Sequence, residues 1–316
     1  MLRGYQFCQL AVAWLTIQFG NFHGCASASP LLPSLEGFES QNVDDWCIFG
    51  WTLQSAASSN FACVHHDLDV FECFSGVGSV YCAGNAILGN ERGIGFDWKT
   101  DPAENILSPQ GFEIALKRVL RLSHHGLLTI APECSLLVFP SSSVHRRSSR
   151  QPFGDTSRQC VLASNSIAFT AMFLWVLGIM RGLRCLLESP PNSWLWRLPF
   201  VNVGLSAAAH MLGLPLAKHI VTHCAYQTDT PLGMRFQKTF KFVTVGQWAA
   251  SLAKRCPCGS KENHRPTMKR FVQKNTGKAK HVGQARCTGI PHALRESGEY
   301  PRALGREIVS REQHKS

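Results

Sequence analysis

The chain is poor in charge. Charged residues make up 17% of it, against 45% hydrophobic residues. Such a balance excludes wholesale disorder, because there is ample apolar side chain to build a core. Long hydrophobic runs are also missing. The best candidate, Ile167–Ile179, is 13 residues long and is soon followed by Arg181 and Arg184. A membrane-spanning helix needs about 20 residues, so this stretch predicts a buried core helix, and no membrane association is expected. No glycine-rich loop ends in Lys-Ser or Lys-Thr, which excludes a phosphate-loop nucleotidase. No pair of Cys-x2-Cys knuckles occurs, which excludes the usual zinc ribbons. No internal repeat is visible, which excludes a solenoid. Cysteine is present but not dense. The 13 Cys are odd in number and irregularly spaced from Cys8 to Cys287. Cys73, Cys185 and Cys224 lie inside apolar runs. They are expected as buried thiols in a reducing compartment, which points to an intracellular protein, the nucleus included.

What charge there is lies unevenly. The chain carries 32 Lys+Arg against 21 Asp+Glu, a net charge of +11. Residues 1–100 have a net charge of −6, residues 101–253 of +7 and residues 254–316 of +10. This polarity points to an anionic partner such as nucleic acid, contacted from the C-terminal half. Residues 1–65 show little periodicity and many Ser, Gly and Asn, and read as an N-terminal extension. Within it, Arg3 precedes an apolar stretch from Phe7 to Phe19, interrupted by Gln9 and Gln18. Ala26-Ser27-Ala28 is similar to a small-residue cleavage site, which leaves secretory or organellar targeting open. Residues 266–316 read as a basic C-terminal tail.

From Leu68 the pattern becomes periodic. Strands are expected at Leu68–Cys73, Gly93–Phe96, Gly126–Ala131, Cys185–Leu187, Ile220–Cys224 and Phe240–Thr244. Helical spacing follows the first strand to about Leu88 and recurs over Phe112–Leu122. A Ser- and Arg-rich loop runs from Pro140 to Arg158. Strands alternating with helices predict an α/β fold, a mostly parallel sheet with helices on both faces, over residues 66–265.

The most informative local signal is Glu72-Cys73-Phe74-Ser75-Gly76-Val77-Gly78, at the end of the first strand and the start of a helix. Gly76 and Gly78 permit a tight turn and the close approach of a ligand. Asp97 ends the next strand, where a carboxylate can accept hydrogen bonds from both ribose hydroxyls. The third glycine of a dinucleotide fingerprint is absent, with Ala83 five residues after Gly78. An acid before the glycines would repel a pyrophosphate. Glu72 suits a cationic ligand, and S-adenosylmethionine fits that better than NAD. The plain alternative is that the two glycines merely shape a turn.

Cys134, in Ala131-Pro132-Glu133-Cys134-Ser135, follows the third strand and so falls on the same sheet rim as Gly76 and Asp97. A thiolate there is a candidate nucleophile if nearby cations lower its pKa. The loop beyond it supplies His145, Arg146, Arg147, Arg150 and Arg158, which could also hold phosphates. Glu188 ends the next strand, a candidate general acid if burial raises its pKa. Its plain role would be to stabilise a helix starting near Asn192.

In this order, the acidic residue–Phe–x–Gly–x–Gly turn, the Pro-x-Cys loop and the later Glu resemble the DNA cytosine-5 methyltransferases, and most of all their divergent relatives. Glu72 to Gly78 stands where that family has Asp-Leu-Phe-x-Gly-x-Gly. Gly95-Phe96-Asp97-Trp98 matches the ribose-binding acid, Pro132-Glu133-Cys134 the nucleophile loop, and Glu188-Ser189-Pro190 the Glu-Asn-Val segment. Lys238 to Thr244 and His264-Arg265 are similar to later strand features of the divergent relatives. The resemblance covers roughly residues 68–265. It implies a Rossmann-like class I methyltransferase fold that binds S-adenosylmethionine through Glu72, Phe74, Gly76, Gly78 and Asp97. It implies that Cys134 attacks carbon 6 of a flipped-out cytosine while Glu188 bonds ring nitrogen 3, and that methyl goes to carbon 5. DNA is the implied partner, with RNA as the alternative polyanion, held by Arg146 and Arg147. The chain departs from the pattern at Glu133, where the family has Pro, and at Asn105, near where it often has Asp. The usual Gln-x-Arg-x-Arg segment is missing. A catalytically inactive Rossmann domain that binds nucleic acid or a protein partner is the alternative that these departures favour.

Cys256-Pro257-Cys258 with His264, and Cys287 further on, offers metal-ligand chemistry at an unusual spacing. No metal site is expected from it. The His65-His66 and His124-His125 pairs read as surface or turn residues, and Trp194 and Trp196 as core or groove lining.

Overall fold

The computed structural model describes residues 65–260, 263–265 and 299–310, with the backbone of 268–271 and 286–289. From the first described strand the chain runs β1 (Leu68–Cys73), α1 (Ser79–Leu88), β2 (Gly93–Phe96), α2 (Pro109–Arg121), β3 (Leu122–Ile130), α3 (Gln159–Met180) and β4 (Arg184–Ser189). It continues through α4 (Pro199–Leu212), β5 (Leu216–Thr222), β6 (Arg235–Phe236), β7 (Thr239–Val245), β8 (His264–Arg265), β9 (Met268–Phe271) and β10 (Arg286–Gly289) to α5 (Arg302–Ser310). The N-terminal extension and its targeting-like segment lie outside the described residues.

The helix boundaries follow local chemistry. The Ser108 hydroxyl accepts from Gly111 N, Pro109 takes the first helical position, and Arg118 and Arg121 fall in the last turn of α2. Each of these suits the end it occupies. Gly213, with φ of 61°, terminates α4 in the left-handed conformation that a side chain would resist.

Six strands form one sheet in the order β2-β1-β3-β4-β7-β5. The pairs β1–β2, β1–β3 and β3–β4 are parallel. β7 runs antiparallel to both its neighbours, β4 and β5. The chain moves outward from β1 to β2 and then returns to the other side of β1 with β3. That reversal opens a crevice at the carboxyl ends of β1 and β3, the usual ligand position in such sheets. The α/β class and the mostly parallel sheet expected from the strand–helix alternation are therefore present. β1 and β4 are buried along nearly all their length, as strands covered on both faces must be.

Alternation along the strands divides the core. Val70, Leu127, Leu186, Phe240 and Phe242 face α1 and α5, where Val80, Leu304, Ile308 and Val309 meet them. The opposite face carries α2, α3 and α4, with Phe112 against Phe173 at 5.9 Å between ring centroids and Gly178 close on Cys185 and Leu128. α3 is apolar enough along its 22 residues to cross a membrane by length and composition. Most of it is instead enclosed, with Trp175 and Leu174 fully buried, which accounts for its lack of a polar stripe.

α5 corrects the reading of residues 266–316 as a tail. Leu304, Ile308 and Val309 are fully buried against α1. Gly305 is the contact point, since a Cβ there would meet the Ser79 carbonyl oxygen. The helix is charged on its outer side, and its short apolar stripe has little weight within a basic composition.

Candidate active site

The turn after β1 is held by its neighbour strand. Phe74 and Ser75 donate their backbone N–H to the Phe96 carbonyl at 2.8 and 3.0 Å. Phe74, Gly76 and Gly78 all have positive φ, of 64°, 55° and 71°, so the turn coils tightly enough to bring α1 straight off the strand. Gly78 also has the Tyr81 ring against it, leaving no room for a Cβ. At Gly76 a Cβ would meet nothing within 4 Å among the described residues, which leave the turn open on that side.

Two carboxylates bracket this turn. Glu72 is buried, and its Oε2 accepts from Val80 N at 2.9 Å and Tyr81 N at 3.0 Å. Its role in the fold is therefore to anchor the start of α1. Burial pushes its pKa up to about 8, opposed by those two hydrogen bonds. Asp97 stands in front: Oδ2 accepts from Gly76 N at 2.9 Å and Oδ1 from Lys99 N at 2.9 Å. Asp97 N in turn donates to Glu104 Oε2 at 2.7 Å, and Glu104 Oε1 pairs with Arg118 at 2.5 Å. Glu104 and Arg118 were not legible as site residues, because the contact joins a loop to α2 across 14 positions. Trp98, beside Asp97, is half exposed.

Cys134 sits on the adjacent rim, where Ala131 N bonds the Cys73 carbonyl and Leu137 N bonds the Cys134 carbonyl. It is partly exposed though surrounded by protein. Burial pushes its thiol up to about 11, Glu188 and Glu133 add to that, and Lys238 opposes them. Glu133 itself turns outward to Ser135 Oγ at 3.3 Å and Lys99 Nζ at 4.0 Å. Glu188 is buried at the end of β4, opposite Phe242 of β7. Burial pushes its carboxyl up to about 7, opposed by Lys238 and the Tyr300 hydroxyl. That hydroxyl approaches Glu188 without reaching ordinary hydrogen-bond geometry. The Tyr300 ring packs edge-on against Phe240 and Phe242, and its backbone carbonyl accepts from Ser79 Oγ at 2.6 Å. The helix expected near Asn192 is a short 3-10 helix at Trp194–Arg197, ahead of α4, and the Ser193 hydroxyl caps it by accepting from Leu195 N at 3.2 Å.

Cys134, Glu188, Lys238 and Tyr300 thus share one electrostatic neighbourhood, and Glu72 reaches it through Tyr300. Arg147 does not join them. It is 6% exposed and donates to the Leu136 and Pro152 carbonyls and to Asn165 Oδ1. Assigning it to phosphate contact was wrong on physical grounds: the guanidinium ties the 136–165 loop together from inside. Arg146 is exposed and lies 3.4 Å from Asp155, which Arg158 also contacts. His145 is fully buried, and Arg150 is exposed. Trp194 and Trp196 each carry a cation of the chain itself over the ring, Arg197 and Lys241. The Cys256-Pro257-Cys258 and His264 group, from which no metal was expected, gains Cys224 as a fourth neighbour.

Comparisons with known protein families, with curated proteins and with solved structures find no match for this chain.

Proposed function

We propose that this chain is an S-adenosylmethionine-dependent methyltransferase-like protein of the Rossmann class, acting on carbon 5 of cytosine in DNA. The observation that carries the reading is one rim with two halves: an open glycine turn faced by Asp97, and Cys134 beside Lys238 and the buried Glu188. The cofactor half suits its ligand. Among the described residues, nothing lies within 4 Å of where a Gly76 Cβ would be. Each Asp97 oxygen receives one backbone N–H and keeps a lone pair for a ribose hydroxyl. Trp98 offers an exposed ring face next to that carboxylate. S-adenosylmethionine, when bound, supplies a methyl group made electrophilic by its sulfonium.

The substrate half derives from side chains in place. The Cys134 sulfur adds to carbon 6 of the ring, and Lys238 favours the thiolate that does so. Glu188, whose carboxyl burial raises to about 7 so that about half of it is protonated at pH 7, donates a proton to ring nitrogen 3 and draws electrons from carbon 6. Carbon 5 then takes the methyl group as its bond to the sulfonium breaks and leaves a neutral thioether; water accepts the carbon 5 proton, the Cys134 thiolate leaves carbon 6, and ring nitrogen 3 returns its proton to the Glu188 carboxylate. Arg146 and Arg150 are exposed cations for backbone phosphates. Flipping a base costs a few kcal/mol, which such contacts help to offset.

A second reading, a binding domain without turnover, draws on the Cys134 thiol at about 11 and the Glu188 carboxyl at about 7. Catalysis needs the first ionised and the second protonated. Between those two values only about one free molecule in 10⁴ holds both forms at once.

Isothermal titration with S-adenosylmethionine tests the cofactor claim; absence of binding overturns it. Incubation with S-adenosylmethionine and a duplex containing 5-fluorocytosine separates the two readings. A covalent adduct that disappears in Cys134→Ser supports catalysis. Cofactor binding with no adduct leaves the binding domain.

A further inference from the structure

Among the described residues outside the rim, one group of side chains has metal-ligand chemistry that the proposed reaction does not use. We propose that Cys224, Cys256, Cys258 and His264 form a structural zinc site. Their candidate ligand atoms all lie within 4.8 Å of one another. The Cys256 sulfur faces Nε2 of His264 at 3.3 Å, and Cys258 N donates to the same sulfur at 3.4 Å. A tetrahedral zinc with bonds of about 2.3 Å to sulfur and 2.0 Å to nitrogen separates its ligand atoms by about 3.5–3.8 Å. Closing the group on an ion therefore takes a shift of about 1 Å or less.

The donor set decides which ion. Three thiolates and an imidazole are soft to borderline ligands, which favour zinc over magnesium or calcium. Cys224, Cys258 and His264 are buried and Cys256 is half-buried, and four ligands are the number that a tetrahedral structural zinc takes. A closed set of this kind is structural, since a catalytic zinc keeps one position for water. Crowded thiolates repel one another, and a divalent cation at their centre reverses that.

The site joins segments far apart in sequence. Cys224 belongs to the turn after β5. Cys256 and Cys258 lie in the loop beyond Leu252, and His264 begins β8, which pairs with β6 through Arg235 and Phe236. His223, next to Cys224, donates its N–H to the Lys238 carbonyl at 2.8 Å, and its Nε2 meets the Glu299 carbonyl at 2.9 Å. The clip thus braces the backbone on which Lys238 and Tyr300 approach Glu188.

The test uses the full chain, expressed with added zinc and purified under reducing conditions. Elemental analysis should give one zinc per chain. Cys224→Ser and Cys258→Ser should reduce it to background, and Cys287→Ser should leave it at one. Stripping with a strong chelator should lower Tm by about 5 °C or more, reversed by zinc chloride. Cobalt(II) added to stripped wild type should give the intense visible absorption of a tetrahedral site with a thiolate charge-transfer band, a readout that does not depend on any variant folding. Folded wild type that takes up neither zinc nor cobalt overturns the proposal. So does full zinc in Cys224→Ser, loss of zinc in Cys287→Ser, iron in place of zinc, or a disulfide within the group in the reduced protein.

Discussion

Gly76 N donates a 2.9 Å hydrogen bond to Oδ2 of Asp97, so the turn that ends β1 is fastened to the carboxylate that ends β2. Neither residue does this alone. Gly76 supplies the left-handed backbone, and Asp97 supplies an acceptor on an adjacent parallel strand in a register that pairs Cys73 with Phe96.

Removing that acceptor should separate a cofactor role from a purely structural one. Asp97→Ala gives up hydrogen bonds to Gly76 N and Lys99 N, and a stability loss of about 1–3 kcal/mol is expected. If Asp97 also holds ribose hydroxyls, affinity for S-adenosylmethionine should fall by about 10- to 100-fold in a titration below the Tm of the variant. Equal affinity in a folded variant removes Asp97 from the cofactor site.

The two buried carboxyls make stability depend on pH in a definite direction. Glu188 is raised from 4.5 to about 7 and Glu72 from 4.5 to about 8 by burial. The folded state therefore binds protons more tightly than the unfolded chain. Their contribution is fully present below about 4.5 and is lost as pH rises to 7 and 8. Glu188→Gln should flatten its share, so urea titrations of wild type and variant should diverge by up to about 3 kcal/mol between pH 4.5 and 7. Parallel curves would show that Glu188 is not held neutral by the fold.

Cys134 should be a slow thiol at neutral pH. Its alkylation by iodoacetamide, followed at that peptide by mass spectrometry, should keep rising towards pH 11, where its thiol ionises. Lys238→Gln should slow the reaction by several-fold at pH 8, and Glu133→Gln should accelerate it, since the two charges pull the thiol in opposite directions. A Cys134 that reacts faster than exposed Cys82 at pH 7 contradicts this electrostatic picture.

The two neighbouring arginines should behave differently. Arg147→Ala breaks three hydrogen bonds from a buried guanidinium, and a loss of about 3 kcal/mol or more is expected in thermal or urea unfolding. Arg146→Ala, at an exposed pair with Asp155, should change stability by less than about 0.5 kcal/mol. It should instead weaken DNA binding and reduce its salt dependence by about one charge.

α5 should be an integral part of the fold. Ile308 is fully buried in the cluster that includes Val80 and Leu304, so Ile308→Ala should cost about 2–5 kcal/mol. A chain ending before Tyr300 should unfold at lower temperature, because the α1 face of the sheet would lose its cover. Unchanged melting after that truncation would show that α5 is dispensable.

Sequence patterning went far where the signal is local. β1 and β2 coincide with the residues expected, because short apolar runs bounded by turn residues have few other uses. The open glycine turn and Asp97 were equally legible, since both belong to a strand end followed by a helix. α4 was not, and neither was the antiparallel direction of β7: polarity of pairing is a property of two strands, and no single strand carries it. Arg147 was misread for a related reason. A run of basic residues in a loop reads as surface until the loop is seen to fold back over one of them.

The sequence by itself determined the α/β class, the glycine turn with its two acids, and the presence of a cysteine and a glutamate at later strand ends, because each is written in contiguous residues with a fixed period. Tertiary structure decided the rest. It set which acid anchors α1 and which faces the open turn. It brought Tyr300 to Glu188 from the far end of the chain, and Cys224 to Cys256, Cys258 and His264. Those contacts depend on burial and on loop closure over long separations, and neither is encoded in local spacing.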